Sequence, residues 1–245
     1  MNDTMRPDIS LILPAYNESG CIAGTIAEAV AYFRSRRRTY EIIVAADGTD
    51  GTREIVAGLG DGSIRAIGEP ARRGKGRGIR EAVAIASGGI IGFADADNKV
   101  PIEEFDKVAR AFDEGACMVI GSRALAQSAI ERSQPFYRRL GSKGFSVFMR
   151  TVTGLRSVSD TQCGFKFMRH DIAKKLFSLQ RIDGYMYDVE ILLLAQKLGY
   201  PIREVPIRWR DDHDSRLELV RGNLRNVRDI LGVRRKVRAA LRSER

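Results

Sequence analysis

The sequence has few of the residues that would tie it to several large functional classes. Two histidines in 245 residues leave little scope for a zinc site. Its three cysteines, Cys21, Cys117 and Cys163, are odd in number and lack CxxC spacing, which argues against a disulfide framework and for a reducing compartment. The longest apolar runs, such as Ile9–Ala15 and Gly88–Ala94, are far too short to cross a bilayer. The N-terminal MNDTMRPDIS has neither the basic nor the apolar region of a secretion signal. Internal repeats and low-complexity tracts are also missing. These absences predict a cytoplasmic, folded protein.

Cations are abundant. Lys and Arg number 41 against 31 Asp and Glu, a formal charge of +10. Residues Pro206–Arg245 hold twelve Arg/Lys against six Asp/Glu, so that segment alone supplies +6. The excess points either to an anionic partner (nucleic acid, anionic lipid or a phosphorylated substrate) or to a solvated basic face.

The first half alternates strand-like and helix-like segments. Strands are expected at 9–16, 40–46, 63–68, 89–95 and 116–122, and helices at 21–33, 51–59, 78–87 and 102–112. This rhythm predicts an α/β fold with a largely parallel sheet and helices on both faces. Past residue 123 it breaks. Residues 134–153 read as a helix with cations among aromatics, 159–170 as a polar segment, and 171–179 and 186–199 as helices. YPIREVPIRW, 200–209, reads as extended. Leu217, Val220, Leu224, Val227 and Leu231 then recur at helical spacing with arginines between them, an amphipathic basic helix.

In open parallel sheets, ligands bind beyond the carboxyl ends of the strands. Those ends carry Pro14-Ala15-Tyr16-Asn17-Glu18, Asp47-Gly48-Thr49-Asp50, Asp95-Ala96-Asp97 and Gly121-Ser122-Arg123. Asp95 and Asp97, spaced to lie on one side of an extended segment, would repel unless a cation joined them. Mg2+ or Mn2+ is the cation that carboxylates and phosphate oxygens hold together. Two solvated aspartates in a loop remain the alternative. ARRGKGRGIREA, 71–82, offers glycines and cations ahead of a helix, suited to a phosphate. It fits neither a P-loop nor a dinucleotide fingerprint. No nucleic-acid module surrounds it, which leaves an RNA-binding role resting on charge alone.

Taken together, LPAYNE, DGTDGT, RGKG, ADADN, GSR, DTQCGFKFM, IDGYMYDVE and EVPIRW resemble inverting glycosyltransferase family 2, with its GT-A fold. Within it they are most similar to the dolichyl- or polyprenyl-phosphate β-glucosyltransferases. The resemblance covers about residues 8–216. It implies a GT-A domain over 1–216, with a nucleotide-sugar half (8–123) and an acceptor half (124–216), followed by a helical tail over 217–245. Pro14, Tyr16 and Glu18 would line the nucleotide pocket, Asp47 would bond the base, and the backbone at Ala45 would pack on it. Lys75 would lie near the donor. Asp95, Ala96 and Asp97 would meet ribose and metal, with Asp97 the main ligand, and Arg123, Arg210 and Arg216 would hold phosphates. The chain departs from the pattern at Ala46, where a first aspartate is usual, at Arg216 in place of lysine, and at Asn98-Lys99 after the acidic pair.

The implied reaction moves a hexose, glucose from UDP-glucose, onto a polyprenyl phosphate with inversion. Mannose from GDP-mannose and a saccharide hydroxyl acceptor are the alternatives. A phosphate acceptor is already ionised at pH 7 and needs no base. Asp188 and Glu190 are the base candidates for a hydroxyl acceptor, or else a charged edge on a buried helix. Arg138, Arg139 and Lys143, among Phe136, Tyr137, Phe145 and Phe148, either hold the acceptor phosphate or simply pack as a helix. The basic tail would rest on an anionic membrane surface at its cytosolic face. No nucleic acid partner is expected, and the oligomeric state stays open.

Overall fold

The computed structural model describes residues 6–130, 149, 151–155, 157–210 and 221–243, with the backbone alone at 130 and over 221–228. Four parallel strands come first: β1 (Ile9–Tyr16), β2 (Tyr40–Asp47), β3 (Ile64–Ile67) and β4 (Ile90–Ala94). Between them run α1 (Ile22–Ser35), α2 (Thr52–Gly58) and α3 (Lys75–Ile85). A 3-10 turn at Ile102–Glu104 leads into α4 (Phe105–Asp113), β5 (Met118–Ser122) and the short β6 (Ala129–Ile130). After these come β7 (Phe165–Arg169), α5 (His170–Leu179), α6 (Tyr187–Lys197), β8 (Ile202–Pro206), β9 (Arg208–Trp209) and α7 (Arg221–Arg242).

Seven strands form one sheet in the order β3-β2-β1-β4-β7-β5-β8, and β6 pairs separately with β9. Only β7 runs against its neighbours. The strands read as near-continuous apolar runs because helices cover both faces. Ile12, Ile43 and Ile91 pack toward α3, α5 and α6, while Leu11, Leu13, Ile42 and Val44 pack toward α1 and α4. Each such side chain contributes roughly 1.5–3 kcal/mol on burial.

Three expectations need correcting. The polar segment 159–170 contains β7, inserted antiparallel between β4 and β5 inside the sheet. Its ladder with β4 sets Gly92 opposite Phe167, and a Cβ at Gly92 would lie 2.0 Å from the Phe167 ring. The glycine is what admits the ring. Helix α3 begins at Lys75 rather than 78, so Gly76 and Gly78 lie inside it. There they serve close packing: a Cβ on Gly76 would sit 2.4 Å from the Ile182 carbonyl oxygen, and one on Gly78 3.3 Å from the Ala45 methyl.

The third concerns the tail helix. Its apolar side over the described side chains is Ile230, Val233, Val237 and Ala240, all buried against α5 and α6. Leu231, last of the stripe read from sequence, is 63% exposed. The inward face is displaced from that stripe by one residue. Of the expected 134–153 helix, only 149 and 151–153 are described, and they are helical.

Candidate functional site

Tyr16 and Asp47 end neighbouring strands and are partners in the β1–β2 register. Pro14 pairs with Ala45 two steps back, and the Ala45 side chain is buried under Gly78. Asp47 accepts hydrogen bonds from the main-chain N–H of Arg73 at 2.7 Å and, more weakly, of Glu69 at 3.4 Å. It thereby pins the loop after β3. That loop leaves the strand at Gly68, whose φ of +124° and whose missing Cβ, 2.2 Å from the Ala46 oxygen, both require glycine. The loop lays the Arg72 guanidinium over the Tyr16 ring, 4.3 Å from its centroid, and Arg72 also donates to the Tyr185 hydroxyl at 3.2 Å. Glu18 opens α1: its carbonyl accepts from the N–H groups of Cys21 and Ile22, and its own N–H donates to Thr52. Ala46 is fully buried in apolar surroundings, where a carboxylate would lie without water.

The acidic pair sits beyond β4. The Asn98 N–H donates to the Asp95 carbonyl, so residues 95–98 form a turn and strand alternation is not what places the two carboxylates. Ala96, between them, is buried, and its carbonyl accepts from the Thr25 hydroxyl at 2.7 Å. This ties the turn to α1 and leaves both carboxylates at the surface, each 39% exposed. Each carries a lysine: Lys75 contacts Asp95, and Lys99 lies 3.1 Å from Asp97. Burial works against the charge of Lys75, but Asp95 and then Asp188 outweigh it and raise its pKa. The Lys99 carbonyl accepts from the Arg210 N–H at 2.8 Å, which brings the strand β9 exit beside the turn.

Arg123, expected on a phosphate, is held elsewhere. Its Nε and Nη2 donate to the two oxygens of Asp160 at 2.7 and 3.0 Å, and its guanidinium faces the Trp209 ring at 5.5 Å. Asp160 also takes the Gln162 N–H, while the N–H groups of Ser159 and Asp160 donate to Glu204. Arg123 therefore fixes the DTQCG loop. Burial would raise the Asp160 carboxyl, yet Arg123 draws it down to about 2. The sign follows: the stabilisation is complete above the ordinary carboxylate pKa, about 3.9, and is lost as pH falls toward 2. Asp160→Asn should cost roughly 1–3 kcal/mol at pH 7, because it removes the charged acceptor of a half-buried guanidinium. Urea unfolding should show the gap to wild type narrowing between pH 4 and 2.

Arg210 lies beside the acidic turn through its main-chain N–H. Cys163 is buried, and burial pushes its thiol up to about 12, which suits packing and not nucleophilic attack. Glu190 is fully buried and accepts from the N–H groups of Arg181 and Ile182, holding the loop before α6. Asp188 is buried against Lys166 at 2.7 Å. Neither carboxylate reaches an open surface where a base would work. Arg138, Arg139, Lys143 and Arg216 lie outside the described residues.

Residues 10–177 match the sequence profile of Glycosyl transferase family 2. The chain belongs to glycosyl transferase family 2. Among curated relatives, it is 32% identical to a dolichyl-phosphate beta-glucosyltransferase of Drosophila melanogaster, covering 89% of this chain and 71% of that one. It is 31% identical to another of the same name from Trichomonas vaginalis, covering 95% and 72%. The fold resembles that of glucosyl-3-phosphoglycerate synthase from Mycobacterium tuberculosis, solved with Mn2+, uridine diphosphate and phosphoglyceric acid. That match has a TM-score of 0.67 at 22% identity, over 94% of this chain and 78% of that one. The fold is GT-A.

A divalent metal fits this family 2 site in one form only. Among the described residues no three His, Cys, Asp or Glu side chains cluster to hold an ion alone. Two hard carboxylates exposed in the turn after β4 suit Mg2+ or Mn2+ that arrives with substrate phosphate oxygens and keeps waters. Asp160 and Lys166 were not singled out from the sequence. Asp160 opens the DTQCGFK motif and Lys166 closes it, so the signal was the motif itself.

Proposed function

We propose that the chain transfers glucose from UDP-glucose to dolichyl or another polyprenyl phosphate, with inversion, at the cytosolic face of a membrane. One observation carries the reading. A nucleoside-side pair, Tyr16 and Asp47, and the acidic turn Asp95–Asp97 share one sheet edge in a chain 32% identical to a dolichyl-phosphate beta-glucosyltransferase over most of its length.

Tyr16, Glu18 and Asp47 hold the nucleoside, with the backbone at Pro14 and Ala45 beneath it. Asp47 receives the base in exchange for the loop N–H groups it now binds. Lys75 and Arg210 meet the diphosphate, and Arg216 is assigned to it as well. Held by Asp97 and Asp95, Mg2+ or Mn2+ would supply Lewis-acid neutralisation of the leaving diphosphate. The acceptor phosphate attacks the sugar carbon from the face opposite that diphosphate. It is ionised at pH 7, so no side chain need remove a proton. The buried, bonded state of Asp188 and Glu190 agrees with that. Arg138, Arg139 and Lys143 are assigned to the acceptor phosphate.

No helix among the described residues is long and apolar enough to cross a membrane. Contact with the lipid is assigned to the outer side of α7, where Leu231, Arg235, Arg238 and Arg242 are exposed along one stripe. The opposite side is buried in the domain, so the attraction is mainly electrostatic. Each arginine near an anionic surface contributes about 1 kcal/mol. Arg235→Ala with Arg238→Ala should weaken binding to phosphatidylserine vesicles by about 30-fold in flotation, and more salt should weaken wild type likewise.

The deciding assay pairs labelled UDP-glucose or GDP-mannose with a polyprenyl phosphate, with and without Mn2+. Label in the lipid from UDP-glucose supports the proposal. Label only from GDP-mannose, or only in a soluble saccharide, replaces its donor or its acceptor.

A further inference from the structure

Beneath the acidic turn lies an ion pair that stability alone does not explain. Lys166 stands on β7 between Phe93 of β4 and Ile120 of β5, and has no exposure at all. Burying an ammonium and a carboxylate costs several kcal/mol each, and apolar residues of the same volume often do as well or better. Lys166 nonetheless donates to Asp188 at 2.7 Å and to the Cys163 carbonyl at 2.6 Å. Asp188 stands in the first turn of α6.

That turn touches the start of α3. The Gly76 N–H donates to the Asp183 carbonyl at 2.8 Å, and a Cβ on Gly76 would be 2.6 Å from the Tyr187 Cβ. Lys75, next to Gly76, contacts Asp95, and Asp188 follows the Tyr187 against which Gly76 packs. Two ion pairs, Lys75–Asp95 at the surface and Lys166–Asp188 in the interior, therefore meet where the start of α3 packs on the start of α6.

We propose that Asp188 and Lys166 are positioning residues for the donor diphosphate, acting through Lys75. The inference rests on the reading of Asp95 as part of the donor site. When a metal–diphosphate complex engages Asp95, Lys75 loses that carboxylate to a second cation. Its side chain is only 21% exposed, so water cannot fully replace the partner. Asp188 is the fixed negative charge that keeps Lys75 at the site, and Lys166 fixes Asp188. An apolar pair would fill the same space and leave Lys75 without it.

The test is a mutant cycle read by titration calorimetry of UDP with Mn2+, with thermal unfolding alongside. Lys166→Met/Asp188→Leu should keep a melting temperature near wild type and bind UDP–Mn2+ about 10–100-fold more weakly, the range for residues that support ligands indirectly. Lys75→Met should weaken binding too, and combining all three should add little further. Should the double variant fail to fold, Asp188→Asn with and without Lys75→Met completes the same cycle. Unchanged UDP–Mn2+ affinity, or effects that simply add, would overturn the inference. A wild-type protein that binds no UDP–Mn2+ would instead overturn the donor reading on which it rests.

Discussion

Asp97→Ala should lower sugar transfer by about 10²–10³-fold, the scale for losing one preorganised group that stabilises transition-state charge. It should hardly move the melting temperature. Asp97 is 39% exposed, and its structural partners are the Lys99 ammonium at 3.1 Å and the Lys99 N–H at 3.3 Å. An exposed pair of this kind contributes between 0 and about 1 kcal/mol. In a domain of this size that is a shift of about 2–4 °C. Asp97→Asn separates charge from shape: it keeps an acceptor for the Lys99 N–H yet removes the negative charge. If metal-bound diphosphate is what Asp97 serves, the two variants should lose similar amounts of activity, and excess Mn2+ should recover part of it. A variant that kept more than about a tenth of the wild-type rate would remove Asp97 from the chemistry, since one lost charge-stabilising group costs more than that.

What was legible in the sequence depended on who a residue's partner is. Strands buried on both faces appear as apolar runs, so β1, β2, β4 and β5 could be placed from their own residues. Strand β7 could not, because Lys166 interrupts its run and its justification is Asp188, 22 residues further along the chain. The glycines at 74–78 were legible as close approaches, but a glycine does not say whether a phosphate or the chain itself comes close. Here the partners are the Asp183 and Ile182 carbonyls and the Ala45 side chain. Arg123 met the same difficulty. A cation at a strand end suits a phosphate, and only the fold brings Asp160, 37 residues away, into its fork. The two carboxylates of the acidic turn were expected on one side of an extended segment, whereas residues 95–98 form a turn. They neighbour Ala96, whose burial against α1 obliges the flanking residues to face outward.

Gly164→Ala tests that surface from beneath. A Cβ on Gly164 would lie 2.1 Å from the Asp95 Oδ2 and 2.4 Å from its Cγ. Gly164 is not among the glycines with positive φ, so alanine brings no backbone strain. The nearest obstacle is the end of a side chain with two torsions, which can swing aside. The stability cost should therefore stay within about 1–3 kcal/mol, the usual cost of overpacking. The functional cost should be larger. To make room, Asp95 must leave its contact with Lys75, and a displacement near 1 Å at a reacting centre can cost about 10²-fold. Steady-state kinetics beside thermal unfolding would show whether activity falls out of proportion to stability. The decisive comparison is with Asp95→Ala, which deletes the clash along with the carboxylate. Gly164→Ala added to Asp95→Ala should then cost nothing more, because alanine at 164 has no carboxylate left to displace. Full additivity would place the effect of Gly164 in the DTQCG loop itself and detach it from the acidic turn.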